Sequence, residues 1–449
     1  MAEDRPAADR LPRQRMNRLV EPIARFLRIE AVSGVVLLLA TAVALILANS
    51  PWAGAFLGFW ETPVGLHLGP VVIVDSLRHA INDGLMTLFF FVVGLEIKRE
   101  VVLGELRKLR VAALPVAAAL GGMAVPAAIY LSLQVGAPGQ RGWGVVMATD
   151  IAFVVGCLAV LGSRVPRSLR VFVLSLAIID DIGAIVVITL GYPAHLDLVA
   201  LGLGGLGIAG VLALRYLGVR SVPMYFLLGI PAWFAVFESG VHPTIVGVVL
   251  GLLTPAHPWV GAQRFQAIVD RVGGYLRGEA WHATASEHTG HQALLRSVAF
   301  AARETMSPLE RLETALHPWV SFLIMPLFAL ANAGVPLTLP GLADPVALAV
   351  VAGLVLGKPI GIVGASWIAV RLSIAARPEE LRWPVIAGAG MLSGIGFTMA
   401  LFIASLAFDG RLLTAAKIGV LAASFVAALI GLAVLLVVLR PNRAEASRA

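Results

Sequence analysis

Apolar runs of roughly membrane-spanning length recur along this chain, separated by short clusters of Arg, Glu, Gly and Pro. A helix needs about 20 mainly apolar residues to cross a bilayer. On that measure the pattern predicts spans over 31–49, 80–98, 111–133, 143–162, 168–190, 196–215, 221–237, 240–254, 317–335, 345–370, 383–407 and 412–439. The expected architecture is an all-α polytopic membrane protein with twelve transmembrane helices. The seventh and eighth are short and separated only by the polar ESG at 238–240. Two segments do not fit the pattern. Residues 62–75, TPVGLHLGPVVIVD, alternate around a Gly-Pro and predict an external β-hairpin. Residues 256–315 are rich in Arg, His, Gly and Glu and read as a long cytoplasmic loop, solvated or partly disordered. The chain then divides into a tail (1–29), a first helical block (30–255), the loop (256–315), a second helical block (316–440) and a C-terminal tail (441–449).

Composition agrees: of 449 residues, 59% are hydrophobic and 14% charged, against about 45–50% and about 25% in soluble domains. The net charge of +7 could suggest a nucleic-acid partner, but its placement gives another reason for it. Of the 34 Lys and Arg, 29 fall in the N-terminal tail, in the loops after even-numbered spans and in the C-terminal tail. Arg78, Arg141, Arg411 and Lys417 are the exceptions near the alternate loops. Cytoplasmic loops hold the Lys and Arg excess, so both termini are expected inside, and the charge records topology. The first 29 residues lack the apolar core and cleavage site of a signal peptide. Cys157 is the single cysteine, so no intrachain disulfide exists. In the loop, SEHTGH places His288 and His291 three apart with His282 nearby. With no Cys or second carboxylate–His pair to complete a metal site, the segment reads as solvated.

The charges that chemistry must explain lie inside the spans. Asp150 stands in VVMATDIAFVV, the pair Asp180 and Asp181 in LAIIDDIGAIVV, and Lys358 in LVLGKPIGIVG. Each costs about 2.5–3.5 kcal/mol to insert at the centre of a helix. A Lys–Asp pair that only fixes packing accounts for two of the four. Neighbours on a helix point about 100° apart, so one of Asp180 and Asp181 can pair with Lys358 while the other lines a cavity. Burial and a like-charged neighbour both favour a protonated carboxyl. Carboxylate and hydroxyl oxygens also suit a hard cation such as Na⁺ or Li⁺, and Thr149 supplies a hydroxyl beside Asp150. Proton and cation then compete for the same oxygens, which is the chemistry of an exchanger.

Span 11, AGAGMLSGIGFTMALF, carries Gly388, Gly390, Gly394 and Gly396 with Ser393 and Thr398. The glycines fit either a close-packing face or a helix broken at the midplane. Spans 3–5 run opposite to spans 10–12 in the derived topology, which permits an inverted repeat. Other classes fit less well. An intramembrane aspartyl protease wants a GxGD-type motif, whereas AII precedes Asp180 and MAT precedes Asp150. No filter-like repeat suggests a channel. A cation sensor with a silent core stays open because of the long loop.

Taken together, ATDIAF (148–153), LAIIDDIGAI (176–185), SGVHPTI (239–245), LHPW (316–319), PLFALANAGV (326–335) and GKPIGI (357–362) closely resemble NhaA-type sodium/proton antiporters. INDGLM (81–86) and VGLEIKRE (93–100) match as well, and all keep their order from about residue 31 to 407. The resemblance implies twelve helices in inverted repeats, with spans 4 and 11 unwound and crossing at the midplane. It implies that Asp181 is the central cation and proton carboxylate and that Asp180 pairs with Lys358. Asp150 and Thr149 would sit at the crossing, with Asp150 offsetting helix N-terminal dipoles and Lys358 the facing C-terminal ends. It implies a cytoplasmic pH-sensing set at Glu96, Arg99, Glu100, Glu313 and His317, which on the residues alone are polar helix ends. The family often has a histidine where Thr314 stands, and its usual connector is much shorter than 256–315. The expected function is electrogenic, pH-regulated export of Na⁺ (or Li⁺) against protons across a bacterial inner membrane. No cofactor is expected; a homodimer through the 62–75 hairpin is.

Overall fold

The computed structural model describes residues 30–68, 71–107, 109–192, 196–219, 222–277 and 288–439. The expected tails at 1–29 and 441–449, and the Gly-Pro at 69–70, lie outside these residues. In chain order the helices are α1 (Glu30–Ala48) and α2 (Ala53–Trp60), then the strands β1 (Pro63–Leu68) and β2 (Val71–Ser76). Next come α3 (Leu77–Val102, carrying a π-helical turn at Ile81–Leu85) and α4 (Leu109–Leu133). A 3₁₀ stretch, Pro138–Val146, leads to α5 (Ile151–Leu161). It is followed by α6 (Arg167–Gly191), α7 (Leu198–Tyr216), α8 (Val222–Glu238), α9 (Thr244–Leu253), α10 (Ala262–Arg277) and α11 (His288–Glu304). The chain continues through α12 (Pro308–Asn332) and α13 (Pro345–Arg371), each with an internal π turn. It ends with α14 (Trp383–Leu392), α15 (Phe397–Ala407) and α16 (Gly410–Val438).

Among the described residues seven helices are long and apolar enough to span a membrane, or up to ten if each bent pair counts as one span. The bends are 120° between α1 and α2, 45° between the 3₁₀ stretch and α5, and 51° between α14 and α15. At 17 and 10 residues, α8 and α9 are shorter than a full crossing. β1 and β2 pair antiparallel, from Pro63 opposite Ser76 to Leu68 opposite Val71. This two-stranded sheet stands where alternation predicts it.

Two expectations about the 256–315 segment change. Much of it is helical, as α10 and α11. The span expected from 317 also begins nine residues earlier, at Pro308. Ser307 caps that helix: its hydroxyl accepts from Glu310 N at 3.2 Å, and the Glu310 carboxylate accepts from Ser307 N at 3.0 Å. Pro308 fits the first helical position, where no N–H partner is needed. The opening turns, PLERLETAL, are polar, so a search by apolar runs misses them.

Small residues set the close contacts that hold the centre. A Cβ on Gly361 of α13 would lie 2.1 Å from the Gly121 carbonyl oxygen of α4, and one on Gly357 would lie 2.7 Å from Pro126 Cα. The α4 and α13 backbones therefore touch on either side of Lys358. α6 joins them where Gly183 receives Met123, and α9 meets α3 backbone to backbone at Gly247, Gly251 and Gly94. These contacts leave Lys358 fully buried between helices.

Candidate functional site

Two chain breaks meet beside that lysine. After the 3₁₀ stretch the chain is irregular over 148–150, and Asp150, extended (φ −89°, ψ 102°), caps α5 by accepting from Phe153 N at 3.1 Å. Between α14 and α15 the break falls at Ser393–Gly396. Asp150 N donates to the Ile395 carbonyl at 2.8 Å. Asp150 Oδ2 accepts from Thr398 N at 3.1 Å and also from the Thr398 hydroxyl. One carboxylate thus satisfies N–H groups at the starts of both α5 and α15, where helix dipoles favour a negative charge. The glycines of the second break do both things expected of them: Gly394 and Gly396 stand at the break, and a Cβ on Gly394 would lie 2.5 Å from the Leu354 carbonyl oxygen.

Lys358 Nζ donates to Asp180 Oδ2 at 2.6 Å and to Thr149 Oγ1 at 2.9 Å. Thr149 Oγ1 stands 2.6 Å from Asp180 Oδ2 and 2.9 Å from the Ser393 carbonyl oxygen. Its one proton serves one of those acceptors at a time. Thr149, Asp150, Asp180, Asp181 and Lys358 are all at most 2% exposed. Asp180 Oδ1 is buried without a hydrogen-bond partner. Asp181 follows on the same helix, shares that burial and takes none of the bonds just described. It lies in the electrostatic field of Asp180, Asp150, Glu96 and Lys358. The cluster holds three carboxylates against one ammonium, so a cation or protons would balance it. Oδ1 of Asp180, the Asp181 carboxylate and the Thr149 hydroxyl are oxygens of the type a hard monovalent cation takes.

The structure brings Asp150, Thr149, Asp180, Asp181 and Lys358 together. Of the set at the far ends of α3 and α12, it joins Arg99 to Glu313 as an ion pair. His317 stands one turn after Glu313 on α12. Glu96, half-buried, and Glu100 stand near Arg99 on α3, with Glu96 one turn nearer the middle of the helix. His282 and the side chains of His288 and His291 lie outside what the structure describes. Ser393 and Thr398 belong to the site, yet the sequence reading names them only as polar residues of span 11. Thr398 acts through its hydroxyl, just past the glycines of the break, whereas Ser393 acts through its backbone carbonyl while its own hydroxyl bonds back to the Ala389 carbonyl at 3.0 Å.

The chain is similar along nearly its whole length to known transporters. A family described as Na⁺/H⁺ antiporter 1 matches residues 24–435. The Na(+)/H(+) antiporter NhaA of Rhizobium meliloti (strain 1021) is 56% identical over 434 residues, covering 97% of this chain and 98% of that protein. A protein of the same name from Rhodopirellula baltica is 52% identical over 434 residues, 96% and 98% of the two chains. Na(+)/H(+) antiporter NhaA 2 of Vibrio vulnificus (strain CMCP6) is 50% identical over 422 residues, 94% of each.

Proposed function

The chain belongs to the Na⁺/H⁺ antiporter 1 family, and from that premise we propose how its buried charges exchange sodium for protons. It is a multi-pass membrane protein and a sodium/proton antiporter. The observation that carries the mechanism is the unpartnered Asp180 Oδ1 beside Asp181 in a closed, charged cluster.

In the proposed cycle Na⁺, or Li⁺, enters from the cytoplasm and binds Asp181, Asp180 Oδ1 and the Thr149 hydroxyl. Its charge replaces part of the compensation that Lys358 gives Asp180, so the ammonium is free to lose a proton. The two broken helices then shift together, held by the Asp150 bonds to both, and the site faces outward. Protons there take the Asp181 carboxylate and restore the Lys358 ammonium, displacing the cation. The protonated form returns to release those protons inside when the next cation binds. More protons in than cations out makes the cycle electrogenic. The ions are cargo and the cycle needs no cofactor.

The same reading takes α8 and α9 as the seventh and eighth of twelve spans, with inverted repeats and the two breaks as the crossing of spans 4 and 11. It places both termini in the cytoplasm and a dimer contact at β1–β2. The Arg99–Glu313 pair, with Glu96, Glu100 and His317, sets the pH at which exchange begins. The α3 helix carries that state to Asp181 through Glu96.

The test uses inside-out vesicles with an acid interior and a ΔpH-sensitive dye. Adding Na⁺ or Li⁺ should restore the dye signal, and Asp181→Asn should remove the response in protein that is folded in the membrane. Full exchange in Asp181→Asn would overturn the assignment.

A further inference from the structure

We propose that the α10–α11 hairpin lies on the cytoplasmic surface of the bilayer, with its Arg296–Phe300–Arg303 face seated on anionic lipid headgroups. The inference rests on the orientation given above, which puts the segment between α9 and α12 inside the cell.

Each helix leaves part of its apolar surface exposed. On α10, Phe265, Ile268, Val269 and Val272 recur at the spacing of one helical stripe. Val272 is buried and Phe265 and Ile268 are half-buried, but Val269 is 41% exposed. On α11, Ala301 is buried and Val298 half-buried, turned inward. Phe300 points elsewhere and is 58% exposed, with Arg296 one turn before it and Arg303 one turn after, both exposed. Among the described residues of the two helices, four arginines are exposed (Arg264, Arg271, Arg296 and Arg303), against one exposed acid, Asp270. A basic rim around a protruding aromatic suits an anionic membrane surface and not water.

The hairpin is also held at membrane level. Trp259 N and Val260 N both donate to the Glu304 carbonyl at 3.2 Å, tying its two feet together. One foot follows Leu253, the last residue of α9, by six positions, and the other precedes Pro308 of α12 by four. Trp259 and Met306 at these feet are large, apolar and exposed, and Trp is the residue enriched at membrane interfaces. A link to the transport core is present as well. Glu304, buried, pairs with Arg311 of α12 at 3.5 Å, two residues before the Glu313 that pairs with Arg99. Lipid contact at the hairpin would therefore act on the helix that bears the proposed pH set.

The chain's single cysteine makes a direct test possible. In a Cys157→Ala background, Phe300→Cys and Ala302→Cys are each spin-labelled and reconstituted, full length, in phosphatidylcholine with or without phosphatidylglycerol. With phosphatidylglycerol, the ratio of oxygen to nickel-chelate collisions should be several-fold higher at position 300 than at 302. It should fall toward the 302 value without the anionic lipid, or when Arg296→Gln and Arg303→Gln are added. A label at 300 that is open to the aqueous probe in both lipids overturns the proposal. So does one shielded from both probes, which would mean a protein contact. Equal immersion in both lipids overturns the role of the arginines. Because the label reads depth and not exchange, an inactive transporter with position 300 immersed would refute the function above and leave this inference standing.

Discussion

At the scale of single residues, the site is a contest over which group neutralises Asp180. Its Oδ2 is committed to Lys358 and Thr149, while Oδ1 has no partner. Removing one member of a buried ion pair strands the other and costs about 3–5 kcal/mol, whereas replacing both with neutral groups is often harmless. Lys358→Ala should therefore lower the thermal midpoint sharply, and Lys358→Met with Asp180→Asn should recover most of it. A melt in which Lys358→Ala is as stable as the wild type would show that the pair is not what holds these helices. The four buried charges were legible in the sequence because no apolar span tolerates them without a reason. Which aspartate faces Lys358 was not legible from the residues, since side-by-side positions on a helix leave both choices open. The roles of Ser393 and Thr398 were hidden for different reasons: Ser393 contributes its backbone carbonyl, which no side chain announces, and the Thr398 hydroxyl, cheap in a spanning helix, meets Asp150 only where the two breaks come together.

At the scale of elements, backbone proximity positions the chemistry. α4 and α13 approach until Gly121 and Gly361 leave no space for a side chain, and Lys358 projects from the same stretch of α13. Gly361→Ala should destabilise the protein by about 1–3 kcal/mol, the usual cost of overpacking. Gly364→Ala, on the same helix with nothing within 4 Å of the added atom, should be neutral or slightly stabilising. Equal melting temperatures for the two variants would contradict the contact. Span centres were legible from apolar runs, but ends and breaks were not. The glycines at 394 and 396 hinted at the second break. The first has no glycine, and its signal is subtler: Thr-Asp immediately before an apolar run is a helix start, here buried within what reads as one continuous span. α10 and α11 escaped notice because charged and polar residues are many in both, so composition reads as loop where the structure is helix.

At the scale of the whole molecule, exchange requires that one set of oxygens bind a proton or a cation and never both. The two broken elements, joined through Asp150, give that site something to move with. The Arg99–Glu313 pair joins the end of α3 to the start of α12, and in the proposed function it is this pair that sets the pH at which exchange begins. The defining consequence is stoichiometric: a bound Na⁺ must expel protons. The most direct measurement is calorimetry of Na⁺ binding to the purified protein, repeated in buffers of different ionisation enthalpy, for the wild type and Asp181→Asn. Competition predicts that wild-type binding releases protons and weakens as pH falls, and that Asp181→Asn loses both binding and release. Sodium that binds the wild type without releasing protons, at an affinity indifferent to pH, would contradict the account.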